Sequence, residues 1–219
     1  IYLTTIVWME STMVMDATDN KALTYAPYLL YVMIVFITEL YAKREEPFTY
    51  AAKSLAGHLY IALPVGLLSF IAFSGLSIFS IYMPTMLLAL LVIIWVYDTG
   101  AFVTGMTFGK HRLFERISPK KSWEGFWGGV GFAILAAWGI YAILENYGIN
   151  SMELYKWFGF AVVVVVSATM GDLTESLLKR TYGVKDSGKI LPGHGGMMDR
   201  FDSVFMAAPA AYIYLSIVM

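Results

Sequence analysis

One stretch near the C-terminal end of the sequence is crowded with charged residues. It runs from Gly171 to Ser203 as GDLTESLLKRTYGVKDSGKILPGHGGMMDRFDS. A carboxylate at the centre of a membrane helix costs about 2.5–3.5 kcal/mol, so Asp172, which follows an apolar run, is expected to have a partner or a polar cavity. Glu175 and Lys179 lie on the same helix face as Asp172, because their spacing is i, i+3 and i+7.

The residue types in this stretch suit phosphate chemistry with a metal ion. Asp199 and Asp202 are spaced i, i+3 and would share a face if their stretch is helical. Carboxylate oxygens suit Mg²⁺, which usually takes one or two of them and completes its shell with water and phosphate. The cations that could neutralise phosphate are Lys179, Arg180, Lys185, Lys189 and Arg200. The alternative is that these charges form internal salt bridges.

The glycine-rich run at 192–196 contains a single histidine. Glycines let the backbone turn tightly and approach a ligand without obstruction by side chains. His194 is therefore a candidate hydrogen-bond donor to phosphate or a candidate base. The alternative is a histidine with a purely structural role in the loop.

A second group of polar residues lies further upstream. It begins with Asp98 at the end of an apolar run and continues with Ser118, Lys120, Lys121 and Ser122. These lysines and serines come just before a predicted helix, and the free N–H groups of a helix N-terminus beside lysines favour anions. The group is a candidate phosphate site. The alternative is a juxtamembrane basic loop attracted to anionic lipid.

The elements that must position these residues are membrane helices. Hydrophobic residues make up 58% of the 219 residues and charged residues only 14%, against about 25% in soluble domains. No charged residue occurs in 54–97 or in 125–144, and about 20 apolar residues suffice to span a bilayer. We therefore predict an all-α, polytopic transmembrane helix bundle in a single membrane domain, with hydrophobic segments at 1–15, 25–42, 54–73, 83–107, 125–145, 157–178 and 201–219.

Glycines crowd the start of the segment at 125–145. Gly125, Gly128, Gly129 and Gly131 are expected to allow close helix packing, because small residues let helix backbones approach each other. The sequence contains no cysteine and opens at Ile1 rather than methionine, with no basic, cleavable signal segment. We expect further sequence upstream.

The basic residues predict the orientation in the membrane. If successive segments cross the membrane in alternating directions, the connections after the second, fourth and sixth segments lie on one side of the membrane. These connections carry 13 of the 15 Lys and Arg residues. Only Lys21 and Lys156 lie opposite. The basic side should be cytoplasmic, and with it the motif-bearing connections.

Two blocks of the sequence together resemble the phosphatidate cytidylyltransferase family. The downstream block runs from Ser176 to Asp202 and includes Lys179-Arg180, then Lys185-Asp186-Ser-Gly, Leu-Pro-Gly-His-Gly-Gly at 191–196 and Asp199-Arg-Phe-Asp. The upstream block comprises Asp98-Thr-Gly-Ala and Ser-Pro-Lys-Lys-Ser-Trp-Glu-Gly, with Ser122 where threonine is expected more often. The resemblance covers 98–203, about half of the chain.

The resemblance implies transfer of a cytidylyl group from CTP to phosphatidic acid, with release of pyrophosphate. It implies Mg²⁺, with a second, monovalent cation such as K⁺ left open, and a homodimer in the lipid bilayer of a bacterial inner membrane, with the active site facing the cytoplasm. No nucleic acid partner is expected. The implied catalytic residues are Asp172, Lys179, Asp199 and Asp202, and the three aspartates are the implied metal ligands. The implied substrate-binding residues are Asp98, Ser118, Lys120, Lys121, Ser122, Arg180, Lys185, Asp186, His194 and Arg200.

Two other functions remain open at this point. Another CTP-using membrane enzyme, such as a polyprenol or phytol kinase or a cytidylyltransferase for an ether lipid, would share the need for CTP and metal. Such an enzyme is not expected to carry the full signature from Lys185 to Asp202. An ion-coupled transporter would also use midplane carboxylates, but paired broken helices and an internal repeat are not visible in the sequence.

Overall fold

The computed structural model describes residues 21–72, 84–150, 152–188 and 196–219. Within these ranges the chain forms six helices and one two-stranded antiparallel hairpin. In chain order the elements are α1 Lys21–Ala42, α2 Pro47–Ala72, α3 Thr85–Phe108, β1 Arg112–Phe114, β2 Ser118–Ser122, α4 Trp123–Asn146, α5 Leu154–Thr181 and α6 Met198–Val218.

The predicted polytopic helix bundle is confirmed. Helices α2 to α6 are each long and apolar enough to cross a membrane. The predicted segment at 1–15 lies outside the described residues. Helix α2 begins at Pro47, seven residues before the predicted start at 54, because proline is well tolerated in the first turn of a helix. The charge of Lys53, which the prediction placed in a connection, therefore lies within the helix.

The chain divides into two compact units, residues 1–86 and 87–219. In the first unit, the Tyr31 hydroxyl of α1 donates to the Ser54 carbonyl of α2 at 3.3 Å. The Tyr31 ring also stacks on the ring of buried His58, with 4.5 Å between the ring centroids. His58 begins a π-helical turn, His58–Ala62, within α2. The prediction of one membrane domain for the whole chain stays a prediction.

The second unit holds both groups of polar residues from the sequence. Helix α5 packs against both α4 and α6 and contributes the most deeply buried side chains, among them Trp157, Phe160 and Val164. At one end of this layer, the Lys156 ammonium at the start of α5 donates to the Val218 carbonyl at the end of α6. Helices α5 and α6 are therefore antiparallel, and the end of α5 and the start of α6 lie together at the opposite end.

Glycines bring α3 and α4 into close contact. A Cβ added at Gly128 would lie 2.3–2.5 Å from the Thr104 side chain, and one at Gly129 would lie 2.6 Å from the Tyr97 ring. A Cβ at Gly125 would lie 2.8 Å from the Ala101 carbonyl oxygen. The predicted packing role is thus confirmed for these three glycines. It is wrong for Gly131, which has nothing within 4 Å of a built Cβ because it faces away from α3.

The hairpin between α3 and α4 was not predicted from the sequence. Arg112 pairs with Ser122 and Phe114 with Ser118, and a register irregularity separates the two pairs. The turn at 115–117 contains no Gly, Asn or Pro, so it lacks the residues that usually signal a hairpin. The stretch from Ser118 to Ser122, which the sequence placed in a connection before a helix, is therefore a strand, in which successive side chains point to opposite faces.

The Gly128→Ala variant is expected to lower the thermal midpoint in detergent, while Gly131→Ala, three residues along the same helix, leaves it unchanged or slightly raises it. Thr104 is β-branched and also donates to the Gly100 carbonyl at 2.7 Å, so it cannot yield easily to a new methyl group. Overpacking of this kind typically costs about 1–3 kcal/mol. Equal midpoints for the two variants, measured by thermal unfolding, would contradict the close α3–α4 contact.

Candidate functional site

Helices α5 and α6 approach most closely at Gly171. A Cβ at this position would lie 2.5 Å from the Asp202 carbonyl oxygen and 3.2 Å from the Ser203 carbonyl oxygen. Only glycine lets the two backbones come this close. The contact places Asp172, the next residue on α5, beside Asp202 near the start of α6.

Lys121 reaches this pair of aspartates from β2. Its ammonium forms an ion pair with the Asp172 carboxylate, and both side chains are only 27% exposed. Ser122 ends the strand and caps α4, because its hydroxyl accepts a hydrogen bond from the Gly125 N–H at 3.1 Å. The cap fixes the direction in which β2 enters α4, and thereby the position of Lys121.

Asp98 on α3 completes a group that we call the carboxylate cluster: Asp98, Asp172, Asp202 and Lys121. Asp98 lies within electrostatic range of the other three, and Asp202 lies within range of Asp172 and Lys121. One Asp202 oxygen accepts a hydrogen bond from the Ser203 N–H at 2.6 Å. The cluster thus contains three carboxylates and one lysine, which gives it an excess of negative charge.

A second group, the Lys179 cluster, consists of Glu175, Lys179 and Asp199. The Lys179 ammonium contacts the Glu175 carboxylate one turn earlier on α5 and binds Asp199 Oδ1 of α6 at 2.9 Å. Asp199 Oδ2 accepts hydrogen bonds from Gly196 N–H at 2.7 Å, from Ser187 N–H at 2.9 Å and from the Ser187 hydroxyl at 2.8 Å. Asp199 therefore ties the end of α5 to both Ser187 and Gly196.

The three predicted metal ligands are divided between these clusters. Asp172 and Asp202 belong to the carboxylate cluster, whereas both oxygens of Asp199 are engaged by Lys179, Ser187 and Gly196. In the described part of the chain, no three His, Asp or Glu side chains are grouped so as to hold a metal ion as they stand. The chemistry of the carboxylate cluster still fits Mg²⁺, because it offers several oxygen ligands with unbalanced negative charge. The metal assignment stays a prediction.

The remaining predicted site residues make fewer contacts. Lys120, Arg180 and Lys185 are exposed and form no ion pair within the described ranges. Ser118 opens β2, Asp186 is exposed in the connection after α5, and Arg200 is exposed in the first turn of α6. His194 lies outside the described residues. The predicted roles of all these residues stay predictions.

Sequence reasoning missed Glu124, which joins the hairpin to α4. Its carboxylate accepts hydrogen bonds from the Lys110 N–H at 3.1 Å and the His111 N–H at 3.2 Å, and it lies 2.6 Å from His111 Nδ1. The Trp123 N–H donates in turn to the His111 carbonyl at 2.9 Å. An acidic residue in the first turn of a helix was the available signal, because the positive end of the helix dipole favours it.

The chain is similar in sequence to known proteins. A sequence model described as the cytidylyltransferase family matches residues 1–218. A protein of Thermotoga maritima is 44% identical over 125 residues, covering 56% of this chain and 46% of its own length. A relative from Haemophilus influenzae is 39% identical over 130 residues, covering 59% of this chain and 45% of its own length. A relative from Staphylococcus epidermidis is 42% identical over 124 residues, covering 57% of this chain and 46% of its own length.

Each of these three relatives is named a phosphatidate cytidylyltransferase. The chain matches a little under half the length of each of them. The family match, by contrast, extends over nearly the whole chain. This chain belongs to the cytidylyltransferase family.

Proposed function

We propose that the protein is a phosphatidate cytidylyltransferase, which makes CDP-diacylglycerol and pyrophosphate from CTP and phosphatidic acid. The observation that carries the proposal is the carboxylate cluster, in which α3, α5 and α6 each supply one aspartate and β2 supplies Lys121. Its charges lie at the hairpin end of the second unit, where apolar helices meet polar connections. Both an amphipathic lipid phosphate and a water-soluble nucleotide can reach such a place.

The proposed reaction is a direct displacement at phosphorus. A phosphate oxygen of phosphatidic acid bonds to the α-phosphorus of CTP, and the bond from that phosphorus to the oxygen bridging to the β-phosphate breaks, so that pyrophosphate leaves with the electron pair. A phosphate oxygen is already anionic at neutral pH, so no side chain has to remove a proton from it. The part left to the protein is positioning and the stabilisation of charge.

The residues of the carboxylate cluster would share this work. Asp172 and Asp202, held side by side at Gly171, would hold Mg²⁺ with help from Asp98, and Asp199 remains a predicted ligand. When bound, the ion would supply positive charge that neutralises phosphate oxygens. Lys121 would exchange its contact with Asp172 for a phosphate oxygen, because a lysine beside a cation loses its attraction to the shared carboxylate.

The experiment that tests the proposal uses CTP labelled at two positions. Purified protein in detergent with Mg²⁺ and phosphatidic acid should transfer label from the α-phosphate of CTP to lipid, and none from the γ-phosphate. A lipid kinase would give the opposite pattern, since it transfers the γ-phosphate. Label in lipid only from γ-labelled CTP, or in neither case, would refute the proposal.

The proposed orientation places the hairpin and the connection after α5 on the cytoplasmic side, in a bacterial inner membrane. The support is the excess of basic residues on this side of the predicted topology. Inside-out membrane vesicles should therefore convert added CTP without detergent, whereas sealed right-side-out vesicles should need detergent first. The reverse pattern would contradict the orientation while leaving the reaction itself intact.

The resemblance also leads us to propose a homodimer and a second, monovalent cation. Light scattering in detergent, corrected for bound detergent, should give twice the mass of the chain. Activity measured in K⁺ should exceed activity in the same concentration of a bulky organic cation if the second ion is used.

A further inference from the structure

Glu175 is a fully buried carboxylate about two turns before the end of α5. Its side chain is 0% exposed, and its Oε1 atom has no hydrogen-bond partner among the described residues. Its other oxygen contacts the Lys179 ammonium. A buried charge with an unsatisfied oxygen is costly, and a well-packed apolar side chain in its place would often be at least as stable. Fold stability alone is therefore a poor reason for a glutamate here.

Lys179 is shared between two carboxylates from different helices. Glu175 belongs to α5, and Asp199, at 2.9 Å from the ammonium, belongs to α6. Asp199 also connects Lys179 to the chain beyond α5, because its second oxygen accepts three hydrogen bonds from Ser187 and Gly196. A continuous chain of polar contacts thus runs from Glu175 to the backbone on either side of the connection between α5 and α6.

Glu175 also influences where the Lys179 charge lies. Asp202 of the carboxylate cluster is within electrostatic range of the same ammonium. A lysine released from Glu175 could turn towards Asp202 and neutralise part of the cluster, because its long side chain has several rotatable bonds. In the described part of the structure the ammonium contacts Glu175 and Asp199, and no ion pair with Asp202 is formed.

We propose that Glu175 is a positioning residue that sets the affinity for CTP through Lys179 and Asp199, without itself contacting substrate. The inference rests on the proposed function. Glu175 fixes Lys179, Lys179 fixes Asp199, and Asp199 holds Ser187 against Gly196, where a Cβ on Gly196 would already lie 2.4 Å from the Ser187 hydroxyl. Ser187 and Gly196 both lie within the block from Ser176 to Asp202 that resembles the family signature, so Glu175 is linked through Lys179 and Asp199 to residues of that block.

The test begins with Glu175→Gln, which keeps the size of the side chain and removes its charge. Loss of a residue that orients a ligand through its neighbour typically costs about 10–100-fold, so KM for CTP should rise at least tenfold. Tryptic cleavage after exposed Lys185 should also become faster, because Ser187, two residues further along the chain, is held less firmly. Glu145→Gln, the same change at an exposed site on α4, should leave both measurements unchanged.

A double-mutant cycle separates positioning from a general structural effect. In a Lys179→Met background, adding Glu175→Gln should change neither KM nor the cleavage rate further, because the residue through which Glu175 acts is gone. The same fold-change in both backgrounds would overturn the proposal, and so would normal KM and cleavage in Glu175→Gln alone. If Glu175→Gln does not accumulate in membranes, Glu175→Asp, which keeps the charge but retracts it, replaces it in the cycle.

The cleavage measurement does not depend on enzyme activity. If the wild-type protein makes no CDP-diacylglycerol while cleavage shows the non-additive pattern, the proposed function fails and the contact chain through Lys179 stands. If the wild-type protein is active and both readouts are additive, the proposed function stands and the role of Glu175 is refuted.

Discussion

Asp202→Asn is expected to lower the turnover number at least 100-fold while leaving the thermal midpoint in detergent unchanged or higher. A 100-fold loss corresponds to about 2.7 kcal/mol of transition-state stabilisation. Asparagine keeps the oxygen that accepts from the Ser203 N–H, so the local backbone contact survives. It removes one of three neighbouring carboxylates, which relieves their repulsion while weakening the site for Mg²⁺ and phosphate.

The comparison variant Asp199→Asn should behave differently. Asp199 is 12% exposed and forms an ion pair with Lys179, which is itself 19% exposed. Removal of one partner from a largely buried pair costs about 3–5 kcal/mol at most, so this variant should lose both activity and thermal stability. Glu153→Gln, at the opposite end of the second unit, serves as the control and should change neither.

Two measurements decide this prediction: turnover of CTP at saturating Mg²⁺, and the thermal midpoint of each variant in the same detergent. The Mg²⁺ concentration needed for half-maximal activity should also rise in Asp202→Asn. Near-normal turnover in Asp202→Asn would remove Asp202 from the catalytic machinery. A parallel loss of stability in this variant would show that its carboxylate is a structural partner rather than a functional one.

Lys121→Met is expected to lower kcat/KM for CTP by about 30–100-fold, with KM for phosphatidic acid changing less. The physical reason is that its ammonium is the single lysine charge paired within the carboxylate cluster, and charge-assisted contacts to phosphate are strong. Methionine keeps the length and apolar stem of the side chain. Steady-state kinetics with each substrate varied in turn provide the measurement.

Arg116→Met is the matched control for this variant. Arg116 lies in the turn of the same hairpin, is exposed and forms no ion pair within the described ranges. If the hairpin only attracted anionic lipid, the two substitutions would have similar, small effects, and high salt would reproduce them. Equal kinetics for Lys121→Met and Arg116→Met would therefore show that the hairpin only attracts anionic lipid.

The helix bundle and the family could be predicted from the sequence. An uncharged run such as 125–144 must form a helix in a bilayer, because no other open structure satisfies the backbone there. The packing of Gly125, Gly128 and Gly129 was likewise confirmed. The stretch with Asp199 and Asp202 is helical, which is the condition under which the sequence placed the two aspartates on one face. These features depend on local composition and spacing, which a single sequence displays directly.

The pairing of charges could not be predicted in the same way. The sequence treated Lys120 and Lys121 alike, as candidates for one phosphate site, but the strand directs Lys121 to Asp172 and leaves Lys120 exposed. The sequence also placed Asp172, Glu175 and Lys179 on one helix face. In the structure Asp172 pairs with Lys121 of β2, whereas Lys179 pairs with Glu175 and with Asp199 of α6.

The sequence by itself determined that this protein folds in a membrane, where its helices lie and which residues are able to bind phosphate. These features follow from residue type and local periodicity. Only the tertiary structure decided that Asp199 ties Lys179 to Ser187 and Gly196, while Asp202 joins Asp98 and Asp172. The two aspartates are three residues apart on one helix and have different neighbours. The physical reason is that contacts between charges depend on where separate helices cross, and a crossing is set by packing between residues far apart in the chain.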